Sequence, residues 1–252
     1  MSVARPLTRS APHSQTSAYL RRPHSGSRNS LNLSRSTRAL SIKMGPPIPP
    51  NPSQLGHRLG GKDPAFTIDV FLDYTCPFSA KAYRTLVSEV APHYGDKMSL
   101  VFRHQIQPWH PQSTLVHEAA LAVTKVGGED AFWKFSSALM AEEHEKDFYD
   151  VSTYDKTRGQ IYDELAELAS TSAGVDKAKV LEMLTLDKEA LAQGQKNPGN
   201  AVTQDLKWEV KYSRMVGMHV SPTTIINGMV VDTSSGWTLD QWTQLLNEFV
   251  TV

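Results

Sequence analysis

Phe66–Gln105 holds a strand, a helix and a second strand within 40 residues, and this order restricts the fold more than any other feature. Phe66-Thr67-Ile68-Asp69-Val70-Phe71-Leu72 is β-branched and aromatic with partial alternation, which predicts a short strand. From Pro77 to Val90, Ala80, Tyr83, Leu86, Val87 and Val90 recur at helical spacing. Met98–Gln105 is again strand-like. Two strands joined through a helix in so short a span form a βαβ unit, so the strands should run parallel.

Beyond Pro108 the pattern turns helical for about a hundred residues. Amphipathic helices are expected over Ser113–Val126, Asp130–Glu143, Lys156–Ser170, Asp176–Gln193 and Asn200–Met218. Asp176 is placed to cap one of them, and Gly127-Gly128 separates two others. Ser221–Val231 then reads as a hairpin around the turn Asn227-Gly228. Trp237–Val250 is a last helix, burying Leu239, Trp242, Leu245, Leu246 and Phe249. A βαβ half and a ββα half around one mixed sheet is the thioredoxin-like arrangement of an α/β protein. The all-helical stretch, about residues 112–218, is an insertion between the halves.

The chemistry concentrates where the first strand meets the first helix. Cys76-Pro77-Phe78-Ser79 stands at that junction, and Cys76 is the only cysteine, which excludes an internal disulfide and a Cys-rich zinc site. Proline is favoured at the first helical position because its missing N–H would be unpaired there anyway. With Pro77 at that position, Cys76 is the N-cap and faces the free amides of Phe78 and Ser79. Those amides and the helix dipole favour a negative sulfur. Cysteines so placed have pKa values lowered to ~3.5–7.5 and are nucleophilic at neutral pH. The competing reading is a buried, inert cysteine acting as a small hydrophobe. Ser79 stands one turn on, where it is expected either to hydrogen-bond the thiolate or to serve as a polar first-turn residue. Val220-Ser221-Pro222-Thr223 opens the later strand, a position proline tolerates.

Tyr74-Thr75-Cys76-Pro77-Phe78-Ser79 together with Val220-Ser221-Pro222-Thr223 resembles the DsbA-like family of thioredoxin-fold proteins. The likeness covers about residues 64–250. It implies that Cys76 is the nucleophile and that Pro222 is a cis-proline beside it. It also implies that Ser221 offers backbone groups to an extended peptide or to glutathione, by strand addition. Pro77, Phe78, Val220, Ser221 and Pro222 are then the substrate-binding candidates. The departure is Ser79 in place of a second cysteine. Serine cannot resolve a mixed disulfide, so an outside thiol must release one formed on Cys76. Kappa-class glutathione transferases and the related isomerases share the architecture through a Ser-Pro-aromatic-Ser motif, in which Cys76 would take the place of the first serine. Monothiol glutaredoxins, with Cys-Gly-Phe-Ser, differ at Pro77 and lack the helical insert.

His104 and His110 are candidates to line the groove beside Cys76, with His110 as the accessory residue. The spacing of His104, His110 and His117 matches no metal signature, and no metal is expected. Structural or surface roles compete for all three. Trp109, Phe132, Trp133 and Trp208 either shape an apolar pocket or belong to the core.

Charge divides the chain. Met1–Lys62 carries ten basic residues and no Asp or Glu, so with 26 basic and 26 acidic residues overall, residues 63–252 carry a net −10. An acidic body argues against nucleic-acid binding. Residues 1–43 hold ten serines without an apolar run, the composition of a mitochondrial transit peptide. Arg38-Ala39-Leu40-Ser41 resembles a matrix-peptidase site. A disordered basic tail is the alternative, and translation from Met44 would leave a cytoplasmic protein. Residues 44–62, rich in Pro and Gly, read as an irregular lead-in, with the folded domain starting near Asp63. No run approaches the ~18 apolar residues of a membrane helix.

The sequence thus predicts a thiol oxidoreductase acting through Cys76 by mixed disulfide with glutathione or protein thiols. Glutathione would be a co-substrate, and no tightly bound cofactor is expected. The alternatives are a non-catalytic peptide-binding module and a kappa-class-like glutathione transferase or isomerase.

Overall fold

A computed structural model describes residues 54–144 and 146–250. Residues 1–43, expected to be a targeting segment, and the lead-in up to residue 53 lie outside the described residues. The strands are β1 (His57–Gly60), β2 (Phe66–Leu72), β3 (Met98–His104), β4 (Thr223–Ile226) and β5 (Met229–Val231). They form one sheet in the order β1-β3-β2-β4-β5. As expected, β2 and β3 are parallel, with Phe66 opposite Met98 and Leu72 opposite His104. All other pairings are antiparallel. Every residue of β3 is buried, because a central strand covered on both faces has no solvent side.

β1 corrects the expected lead-in. His57–Gly60 pairs with Phe102–Ser99 on the outer edge of β3, so folded structure begins before Asp63. Four residues after a proline run carry too little alternation to show as a strand. Pairing with β3 makes them one.

Helix α1 (Pro77–Thr85) continues through a wider turn at Leu86–Val90 into α2 (Ala91–Tyr94). Its buried Ala80, Tyr83, Leu86 and Val90 join Ile68, Val70, Leu72 and Phe102 in the main core. The last helix, α9 (Leu239–Val250), adds Trp242 and Leu246 to it, while Leu239, Leu245 and Phe249 are only partly buried. The β4–β5 hairpin turns at Asn227 and Gly228, both at positive φ (48° and 84°). This is the geometry that makes Asn-Gly the favoured two-residue turn.

The insert comprises α3 (Ser113–Leu139), α4 (Asp150–Thr153), α5 (Arg158–Ala173), α6 (Lys177–Leu184), α7 (Lys188–Ala192) and α8 (Thr203–Met215). One expectation holds here and one changes. The helices expected on either side of Gly127-Gly128 are separated by a kink at Gly128, whose backbone is not helical (φ 79°, ψ −171°), within the span of α3. The segment 176–193 divides instead into α6 and α7, because Asp187 caps a new helix by accepting from the Ala190 N–H at 3.0 Å. Asp176 caps α6 as expected, accepting from the Ala178 N–H at 2.8 Å. Helix α8 lies over the other face of the sheet, where Phe71, Ile225 and Met218 form a small second core beside Tyr212.

Candidate active site

The β2–α1 connection sets Cys76 beyond the C-terminal end of the central strand β2. Cys76 has extended backbone (φ −98°, ψ 118°) and is the N-cap of α1, with Pro77 at the first helical position. Its carbonyl accepts the Ala80 N–H at 3.1 Å, the first bond of the helix. The sulfur makes no capping hydrogen bond. It is turned across the groove instead, 3.6 Å from the Ser221 carbonyl oxygen, to which the thiol donates. A thiol is a weak acceptor, so the facing carbonyl competes well with the amides of the first turn.

Ser221-Pro222 is a cis peptide bond, immediately before β4. The resemblance expected this proline beside the cysteine, and the sulfur-to-Ser221 contact joins the two segments across 145 residues of sequence. Cys76 itself is buried. Its flanks are open: Phe78 is 63% exposed and Val220 is 54% exposed. Two large apolar side chains are thus held in solvent within two residues of the Cys76–Ser221 contact.

Ser79 is fully buried and accepts from the Asp73 N–H at 3.2 Å. Its hydroxyl thus meets the Asp73 backbone, at the start of the loop that carries Cys76. His110 places Nδ1 3.1 Å from Asp73 Oδ2. Both residues meet at Asp73, which the sequence reading missed. Asp73 Oδ1 accepts from the Thr75 N–H (2.9 Å), the Thr75 hydroxyl (2.8 Å) and the Ser113 hydroxyl (2.9 Å). Asp73 Oδ2 accepts from the Gln107 N–H at 2.8 Å. Burial pushes the carboxyl pKa up, but His117 and the Thr75 and Gln107 amides outweigh it and hold it well below the usual carboxylate range. An acidic residue at the exit of an apolar strand, three residues before a cysteine, was the available signal.

His104 and His117 are fully buried, their Nδ1 atoms 2.7 Å apart. Trp109 and Trp208 line a cavity of about 1040 Å³ between the segment after β3 and α8, which Lys207, Lys211, Arg214 and His219 also border. Phe132 instead belongs to the core, stacked on His57 with ring centres 3.4 Å apart. Trp133 donates to the Arg58 carbonyl at 3.1 Å. Among the described residues no His, Cys, Asp and Glu cluster is arranged to hold a metal, and no helix is long and apolar enough to cross a membrane.

A protein-family model described as Thioredoxin matches residues 53–248. The structure of a proposed protein-disulfide isomerase from Pseudomonas syringae is similar, with a TM-score of 0.58 and 27% identity, covering 75% of this chain and 96% of that one. BdbD from Bacillus subtilis, in its oxidised form, aligns with a TM-score of 0.58 at 18% identity, over 78% of this chain and 94% of that one. DsbA from Chlamydia trachomatis aligns with a TM-score of 0.54 at 16% identity, over 82% and 97%. The last two likenesses carry the fold alone. No curated protein matches by sequence.

Proposed function

Because the chain belongs to the thioredoxin family, we propose that it is a thiol oxidoreductase that works through Cys76 alone, by mixed disulfide with glutathione or protein thiols. The observation that carries this reading is the Cys76 sulfur at a helix N-cap, 3.6 Å from the carbonyl before cis-Pro222. Helix N-termini favour the thiolate, and the thiolate is the nucleophile.

The Cys76 thiolate attacks one sulfur of glutathione disulfide. One S–S bond forms, the other breaks, and a glutathione thiolate leaves to take a proton from water. A second thiol then attacks the glutathione sulfur of the mixed disulfide, forms a new disulfide with it and releases Cys76. Disulfide passes between partners with no outside oxidant. An extended substrate would lie along Ser221, with Phe78 and Val220 gripping its apolar side chains. Residues 1–43 serve in this proposal as a matrix address, testable by imaging a fluorescent fusion of that segment; cytoplasmic fluorescence would remove it.

The test is incubation with glutathione disulfide followed by intact mass. One glutathione per chain, removed by dithiothreitol and lost in Cys76→Ser, supports the reading. A Cys76 that reacts no faster than the thiol of a short unstructured peptide would make the chain a peptide-binding module instead.

A further inference from the structure

Three buried histidines form a continuous chain between two carboxylates. His57 Nδ1 lies 3.1 and 3.2 Å from the two oxygens of Glu129. His57 Nε2 lies 3.1 Å from His104 Nε2, and His104 Nδ1 lies 2.7 Å from His117 Nδ1. His117 Nε2 then faces Asp73 Oδ1 at 3.8 Å and has no hydrogen-bond partner among the described residues. The rings come from β1, β3 and α3. Glu129 at one end is half exposed, and Asp73 at the other is fully buried.

Counting protons exposes a shortfall. The chain has three nitrogen contacts at hydrogen-bond distance and a fourth, longer approach of His117 to Asp73, and three neutral imidazoles carry one proton each. If His57 donates to Glu129, His104 must donate to His57 and His117 to His104. That leaves the His117 Nε2 lone pair aimed at a buried carboxylate. In the reverse order, His57 Nδ1 turns its lone pair on Glu129. Either way one lone pair confronts a carboxylate: the half-exposed Glu129 at hydrogen-bond distance, or Asp73 at 3.8 Å, where burial makes the contact costly. A fourth proton removes the conflict in both orders.

We infer that the chain Glu129–His57–His104–His117–Asp73 holds this fourth proton and passes it between its two carboxylate ends as the charge on Cys76 changes. The second half of the inference rests on the thiolate reading of Cys76. A buried carboxylate three residues before a thiolate opposes it in a low dielectric. A proton held at the Asp73 end cancels that opposition. When the sulfur is taken up in a mixed disulfide, each ring hands a proton to its neighbour and the positive charge moves to the Glu129 end. Only protons move.

The surroundings disfavour charge most on the middle ring. Burial holds His104 well below its ordinary pKa, and His117 and His57 lower it further. Burial also lowers His57, against the raising effect of Glu129 and with a small lowering by Arg103. The remaining titratable groups facing the chain are His110, on the other oxygen of Asp73, and Tyr74, whose ring centre is 4.8 Å from His117. Burial holds Tyr74 neutral.

Nitrogen-15 NMR of the full chain, with histidines labelled and assigned, tests this. At neutral pH one of the three buried rings should carry protons on both nitrogens. In Glu129→Gln the carboxamide can donate to His57, three protons suffice, and the doubly protonated ring should vanish. In Cys76→Ser it should move from His117 to His57. Three singly protonated rings in the wild type, or an unchanged pattern in Glu129→Gln, would overturn the stored proton. An unchanged pattern in Cys76→Ser, with Cys76 of the wild type still taking up glutathione, would overturn the coupling. A Cys76 that refuses glutathione while the extra proton is present would sink the thiol reading and leave the proton count standing.

Discussion

The Asp73 carbonyl accepts the Cys76 N–H at 3.1 Å, so the residue that follows β2 also holds the backbone of Cys76. Its carboxylate fixes the intervening Thr75 through both amide and hydroxyl. One side chain therefore determines the shape of the turn that presents the sulfur. Asp73→Ala would strand several buried donors, each costing about 1–3 kcal/mol, and should destabilise the fold by on the order of 3–5 kcal/mol. Asp73→Asn keeps the shape and should lose less. The carboxyl pKa is depressed in the fold, so its contribution is present at neutral pH and is lost as pH falls through the folded value. Denaturant melts at neutral and acid pH should show that acid loss in the wild type and a smaller one in Asp73→Asn.

Glu209 predicts the opposite pH dependence. It is buried on α8, where one oxygen accepts the Gly56 N–H at 2.8 Å and the other has no hydrogen-bond partner among the described residues. Burial raises its pKa from 4.5 to about 7, against the lowering effects of the Gly56 amide and Arg103. A carboxyl raised in the fold stabilises below its unfolded pKa, and that stability is lost as pH rises through the folded value. The wild type should therefore lose stability between pH 4.5 and about 7, by on the order of 3 kcal/mol. Glu209→Gln, which still accepts from Gly56, should flatten that slope. Thermal melts across this range, with equal slopes in both proteins, would sink the assignment.

What the sequence made legible was local. Val70, Phe71 and Leu72 announced a strand, Asn227-Gly228 its own turn, and Cys76-Pro77 a helix start, because each signal lies within a few residues. The thiol's partner was reachable only through the resemblance that paired Cys76 with Pro222. What stayed hidden was pairing at a distance. His57–Gly60 is a strand only because β3 offers an open edge. His57 and Glu129 meet across 72 residues, and no spacing rule links them. The break between α6 and α7 turned on whether Asp187 caps or continues a helix, which tertiary contacts decide: its N–H donates to the Gly199 carbonyl at 2.9 Å.

Phe78 and Val220 can be tested for substrate gripping without disturbing the core. Both are mostly exposed, so Phe78→Ser and Val220→Ser should change folding stability by no more than about 0.5 kcal/mol. If they form the apolar rim for an extended peptide, the KM for a peptide thiol should rise severalfold in each, with little change for glutathione. Equal KM values for wild type and both variants would place the peptide elsewhere.

Ser79 offers a test by gain. It lies three residues after Cys76 in the first turn of α1, so the two side chains share one end of the helix. A second thiol there could attack a mixed disulfide on Cys76 from within the chain, forming an internal disulfide and expelling the bound thiol. Ser79→Cys should therefore convert the glutathione adduct into a chain with no adduct and no free thiol. The substitution removes the acceptor that Ser79 gives the Asp73 N–H at 3.2 Å, at a loss of about 1–3 kcal/mol, which the fold should survive. Intact mass and thiol titration after glutathione disulfide read the outcome directly. A variant that keeps glutathione on Cys76 with a free thiol at residue 79 would show that the buried position cannot reach the sulfur, and the single-cysteine site would then be set by geometry as well as by residue type.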